Sequence, residues 1–158
     1  MSMISACLWF DNQAEEAMDF YVSIFKNAKT GVVVRNGENG PGPAGSVLTA
    51  TFSLDGQEFM ALNGGPHFKF NEAVSFIVDC RGQAEVDHYW NKLLEGGGTP
   101  SQCAWLKDRF GVSWQVVPAE LRELMGDPDK EKAGRVMQAM MQMGKIEVDK
   151  LRAAYDGR

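Results

Sequence analysis

Histidine and cysteine are scarce, with two and three residues respectively in a chain of 158. Cys7, Cys80 and Cys103 are odd in number and have no Cys-x-x-Cys spacing, which argues against both a disulfide framework and a thiolate zinc site. Free cysteines of this kind behave as small hydrophobes, so all three are expected to be buried. No stretch approaches the roughly 20 apolar residues of a membrane span, and the opening Met-Ser-Met-Ile-Ser-Ala-Cys has no charged segment leading into an apolar run. A cytoplasmic protein without a membrane partner is the expectation. Sixteen Lys and Arg stand against 21 Asp and Glu, net −5, with no basic cluster. That balance argues against a nucleic-acid partner, whose binding depends on neutralised phosphates. No Ser-His-Asp or Cys-His arrangement stands out.

What is present is one pattern that occurs twice. Residues 3–10 alternate, with Ile4, Ala6, Leu8 and Phe10 on one face and Ser5, Cys7 and Trp9 on the other. A helix follows, with Asn12 as its expected cap, Glu15 as the reciprocal acid, and the stripe Ala17, Phe20, Tyr21, Ile24, Phe25. Val32 to Arg35 reads as a strand, and the Gly/Pro-rich run 36–45 as a mobile loop. Strands at 46–54 and 58–62 flank an Asp55-Gly56 hairpin turn. The pattern restarts at Ala73 to Cys80, and a helix from Gln83 carries Val86, Tyr89, Trp90, Leu93 and Leu94, each 69 residues after its counterpart in the first stripe. Gly96 to Gly98 end that helix, and strands at 102–107 and 112–117 flank a turn from Asp108 to Gly111. Within the last strand Trp114 and Val116 share one face, Gln115 and Val117 the other. After Pro118 come a short helix at 119–125, the stripe Ala133, Val136, Met137, Met140, Met141, and a third apolar set at Val148, Leu151, Ala154 and Tyr155.

Paired β-α-β-β-β modules of this kind resemble the vicinal-oxygen-chelate, or glyoxalase/bleomycin-resistance, superfamily, over residues 3–118. The stretches Leu62-Asn-Gly-Gly-Pro66 and Trp105-Leu-Lys-Asp-Arg-Phe-Gly-Val-Ser-Trp-Gln-Val-Val-Pro118, and the Met-rich tail closing on Gly144-Lys145-Ile146, are similar to the PhnB-like family, also called 3-demethylubiquinone-9 3-methyltransferase. The resemblance implies an α+β fold in which two modules, about 3–63 and 73–118, form a domain over 1–118. Their curled mixed sheets would enclose a shared cavity, with helices on the convex side. Residues 119–158 would form a helical extension packed on the domain or on a dimer partner. Metal-dependent members take one ligand from the first and one from the last strand of each module. Carried over, those positions are Ala6, Met60, Ser75 and Gln115, none of them a carboxylate or an imidazole, so no metal and no cofactor are expected.

Concave-face alternation then places Ala6, Leu8, Met60, Leu62, Ser75, Ile77, Gln115 and Val117 in the cavity, with Asn63, His67, Phe68 and Trp105 at its rim. His67 is the one imidazole placed to act as a general base and is a weak catalytic candidate, while His88 is expected to face solvent. Asp108 is expected to hydrogen-bond its own turn, and Gln115 a ligand, a water or Ser75. The function expected is binding of a small molecule by a homodimer. The alternatives are a metal-dependent lyase, dioxygenase or thiol transferase, the methyltransferase of the family name, or a dimerising interaction module.

Overall fold

Alternation and helical stripes become two copies of one module in a computed structural model that describes residues 2–158. The first compact unit ends at Phe70 and the second runs Asn71–Arg158.

In the first unit, β1 (Ala6–Phe10), α1 (Ala14–Ile24), β2 (Ala28–Arg35), β3 (Val47–Leu54) and β4 (Gln57–Asn63) build a sheet in the order β1-β4-β3-β2. β1 and β4 run parallel, the other pairs antiparallel. The stripe of α1 covers one face: Tyr21 stacks on Phe52 at 5.9 Å between ring centroids, and Phe52 on Phe59 at 5.3 Å. Leu8, Phe10, Ala50, Leu54 and Ala61 complete this buried layer. Asp55 and Gly56 both take positive φ, 48° and 84°, the conformation that a two-residue hairpin turn requires.

The start of α1 corrects the expected capping box at Asn12 and Glu15. Asn63 Oδ1 accepts from the Ala14 amide at 2.8 Å, while Asn63 Nδ2 donates to the Val47 carbonyl at 3.0 Å. The parallel register sets Asn63 opposite Phe10, and an orphan helix N–H is satisfied by any acceptor within reach, near in sequence or not. The loop at 36–45 is closed at its base, where Asn36 N donates to the Ser46 carbonyl, Gly45 N to the Asn36 carbonyl, and Asn36 Nδ2 to Ser46 Oγ.

The second unit repeats the plan with β5 (Ser75–Cys80), α2 (Gly82–Leu94), β6 (Thr99–Pro100), β7 (Trp105–Lys107) and β8 (Ser113–Pro118), in the order β5-β8-β7-β6. The strand expected at 102–107 is thus shorter, with a turn between it and the two-residue β6. Val86, Tyr89, Trp90 and Leu93 of α2 are buried, as are Val78, Cys80, Leu106, Trp114 and Val116 of the sheet.

Asp108, 3% exposed, organises the turn before β8. Its Oδ1 accepts from the amides of Phe110 (2.9 Å) and Val112 (3.0 Å), and its Oδ2 from Trp114 Nε1 (2.9 Å). Gly111 closes the turn at φ 92°, accessible to glycine without a side-chain clash.

Three helices follow: α3 (Ala119–Met125), α4 (Lys130–Met141, capped by Asp129) and α5 (Val148–Asp156). Val136, Met143, Ile146 and Leu151 form a buried cluster with Ala104, Val117 and Leu121, and Ala139, Met140 and Tyr155 pack against it. The inward side of α4 is therefore Val136, Ala139 and Met140, whereas Met137 and Met141 are exposed. Backbone bonds tie the tail down, from Cys103 N to the Met143 carbonyl (2.8 Å) and from Ala104 N to the Gly144 carbonyl (3.0 Å). Gln83 adds two more, donating to the Ile146 carbonyl and accepting from Val148 N. Among the described residues no helix is long and apolar enough to cross a membrane.

Candidate functional site

Each sheet has one face covered by its helix, and the opposite face carries the remaining side chains of interest. In the second unit the register places Ser75, Ile77 and Asp79 of β5 on the same side as Ser113, Gln115 and Val117 of β8. Trp105 pairs with Gln115, and Lys107 with Ser113, so both of these β7 side chains join that side. Gln115 Nε2 donates to Ser75 Oγ at 2.9 Å, which realises one of the three partners expected for this amide. Gln115, Ser75 and Trp105 are half-buried and Ile77 is 52% exposed, so this row is accessible from outside. Ser113, 1% exposed, and Val117 are the exceptions. Val117 lies on the expected side, but it is buried against Leu121 and the tail, which corrects its placement in a cavity wall.

In the first unit the expected grouping of Ala6 and Leu8 with Met60 and Leu62 is corrected by the register. Ala6 pairs with Phe59 and Leu8 with Ala61, on the side that α1 covers, and Leu8 is buried there. The partners of Met60 and Leu62 are Cys7 and Trp9. The cause is a one-residue change in the repeat distance. The paired ends of β1 and β5, Phe10 and Cys80, are 70 residues apart, while the buried helix residues are 69 apart. A strand has a period of two, so carrying the helical offset into it turns every side chain to the wrong face. By pairing, Ser75 and Ile77 correspond to Ser5 and Cys7. The same correction accounts for Cys7, which is exposed rather than buried, with a thiol that partial desolvation raises above its ordinary value. Cys80 is buried as expected, its thiol pushed up to about 12, chiefly by desolvation and further by Glu85, Asp79 and Glu120.

Trp9, which sequence reasoning passed over, is the best-held side chain on the face opposite α1. Its Nε1 donates to the Gly65 carbonyl at 2.9 Å and its ring meets the edge of Phe68 at 4.8 Å. Gly64 passes so close that a Cβ there would lie 2.2 Å from Trp9 Cζ2. A correct register for β1 is the signal that would have found it. Asn63 uses its amide on the helix cap and on β3, which fixes the side chain between those two elements. His67 is exposed on the loop after Gly65, and His88 is exposed on α2 with its ring against Tyr89. The expectation that Asp108 bonds its own turn is met, and its second oxygen is taken by Trp114.

The donor chemistry does not fit the divalent ion of the metal-dependent relatives. Met60 is paired with Cys7, and Gln115, a neutral amide, is bonded to Ser75. Hard and borderline divalent ions need carboxylate or imidazole donors for useful affinity. Among the described residues no three His, Cys, Asp or Glu side chains converge into a group that could hold an ion.

Two mixed four-stranded sheets from repeated β-α-β-β-β modules, each backed by one helix, define the glyoxalase-like class. Its structural neighbours include the fosfomycin resistance protein FosX from Listeria monocytogenes, 13% identical with a TM-score of 0.54 over 78% of this chain and 97% of that one. Within that class the chain belongs to the family described as 3-demethylubiquinone-9 3-methyltransferase, whose profile matches residues 2–117. A PhnB protein from Bacillus cereus, provisionally described as a 3-demethylubiquinone-9 3-methyltransferase, is 38% identical, with a TM-score of 0.68 over 75% of this chain and all of that one. Protein PA1353 from Pseudomonas aeruginosa is 22% identical, with a TM-score of 0.62 over 75% and 98% of the two chains. Among curated proteins none matches. The family profile stops where β8 ends, so α3, α4 and α5 lie outside it.

Proposed function

We propose that this chain is a small-molecule-binding protein that acts without a metal, as a cytoplasmic homodimer, using the open sheet face that carries Gln115. The observation that supports the reading is the Gln115–Ser75 hydrogen bond on an accessible face flanked by Trp105 and Ile77. A few oriented polar groups among apolar and aromatic side chains are the usual composition of a ligand site. Leu8 and Val117 leave the candidate set because they are core.

The reaction in the family's name is not carried over. A methyl donor bearing adenosine ordinarily rests on a Gly-rich strand-to-helix turn in a parallel sheet. Here Asp11 to Gln13 join β1 to α1, Arg81 joins β5 to α2, and both sheets are mixed.

The test is mass spectrometry and elemental analysis of protein purified without chelator or affinity tag. An organic molecule released on denaturation is expected, reduced in Gln115→Leu, with no stoichiometric Zn, Fe, Mn or Ni. A stoichiometric ion that disappears in Gln115→Leu would overturn the reading.

A further inference from the structure

The chemistry of the row through Gln115 narrows what it can hold, an inference that rests on the binding role proposed above. Three strands contribute one side chain each on the same face, in the order Ile77, Gln115, Trp105. Val116 N donates to the Ala104 carbonyl at 2.9 Å, which makes Trp105 and Gln115 a non-hydrogen-bonded antiparallel pair. In such a pair the Cα atoms are about 4.5 Å apart and the side chains are at their closest. The indole and the amide therefore stand side by side, with Ile77 on the other flank.

The bond to Ser75 sets the polarity of this edge. Because Gln115 Nε2 donates to Ser75 Oγ, the amide presents Oε1 as an acceptor and its second N–H as a donor, and the Ser75 hydroxyl hydrogen must point elsewhere. Next to Ser75 across the strands, the Ser113 hydroxyl is buried without a hydrogen-bond partner, a further neutral polar group on this side. The charged side chains bordering the row are paired, Lys107 with Glu72 and Asp79 with Arg122 at 2.8 Å. An ionised ligand group placed over Gln115 would lose water without gaining a countercharge, whereas a neutral amide or carbonyl edge would be matched.

We propose that this face takes an uncharged planar ring bearing a carbonyl or carboxamide edge, the ring lying against Trp105 and Ile77 and the edge meeting the Gln115 amide and the Ser75 hydroxyl. Aromatic stacking tolerates any flat ring, so the hydrogen-bonding edge supplies the selectivity.

The experiment is a two-dimensional NMR titration of the full chain with benzamide, benzoate and cyclohexanecarboxamide. The Gln115 side-chain amide and the Trp105 indole N–H are assigned from Gln115→Leu and Trp105→Phe. Benzamide should move both signals saturably, with the charged and the non-planar probes at least about tenfold weaker, and Gln115→Leu should weaken benzamide about tenfold, the size of one hydrogen bond. An unchanged backbone spectrum of Gln115→Leu shows that the loss is not unfolding. Equal or tighter binding of benzoate or of the saturated amide at the same signals overturns the ligand class and leaves the binding face standing. If none of the three moves either signal, both readings fall.

Discussion

Asp108 holds together the turn that leads into β8. A carboxylate 3% exposed would be costly alone, but two amides and an indole N–H converge on it and fix both the turn and the ring of Trp114. Asp108→Ala should lower stability by about 3 kcal/mol, since hydrogen bonds to charged groups contribute roughly 1.5–3 kcal/mol and three buried donors are left unmet. The midpoint of urea unfolding measures this, and a loss under about 1 kcal/mol would show that the turn is held by something else. Gly64 has the corresponding role for Trp9 in the first module. The alanine Cβ would overlap the indole, so Gly64→Ala should displace the ring and cost about 1–3 kcal/mol. The indole N–H resonance of Trp9 reports it, and an unshifted signal would contradict the overlap. The thiols provide a third check. Cys7 should react with a disulfide reagent in the folded protein near pH 8, and Cys80 only after denaturation, because it is buried and its thiol is raised to about 12. Labelling of Cys80 in the native state would contradict the fold around α2.

Among the elements, the tail shows the strongest dependence on particular contacts. Cys103 and Ala104 both take positive φ, 57° and 78°, uncommon for residues with a Cβ, and the backbone of Met143 and Gly144 holds them there. Trp105 follows directly, so the tail helps to aim the aromatic side chain of the candidate site. Carboxylates help to hold α5 and the segment before it. Hydrogen bonds from Gln83 and Lys145 hold Asp87 below its ordinary range, and the Tyr155 hydroxyl does the same for Asp127. A depressed folded pKa means that the unfolded chain binds more protons. The contribution is therefore present above the ordinary Asp value, near about 3.9, and is lost as pH falls through the lower folded value. Amide exchange of α5 should accordingly quicken relative to β8 on acidification from pH 6 to pH 3, and the change should flatten in an Asp87→Asn, Asp127→Asn double variant. An α5 that tracks β8 throughout would sink this account.

At the scale of the whole molecule, the family boundary and the folding boundary do not coincide. The profile ends at residue 117, yet Ala104 and Val117 share a buried cluster with residues of α3, α4 and α5. A chain cut back to residues 2–118 exposes that cluster and frees the strained turn. Removal of even one large core side chain costs about 2–5 kcal/mol, so the truncated chain should lose at least that much or fail to stay in solution. Equal urea midpoints for the truncated and full chains would show that the tail is an accessory.

The sequence by itself determined the modules, their helical stripes, and the Asp55-Gly56 and Asp108-Gly111 turns, because each depends on periodicity or on local turn chemistry repeated in both halves. The tertiary structure alone decided the rest. It set which face of β1 joins Met60, through a repeat distance that differs by one residue between strand and helix, where the strand period of two makes such a slip decisive. It supplied Asn63 as the cap of α1 from 49 residues away, and covered Val117 with helices whose own spacing names no partner. Gln115 was legible as a polar residue on an apolar strand. That its neighbours are an indole, a hydroxyl and an isoleucine follows only from pairing, since cross-strand contacts are chosen by register and not by proximity along the chain.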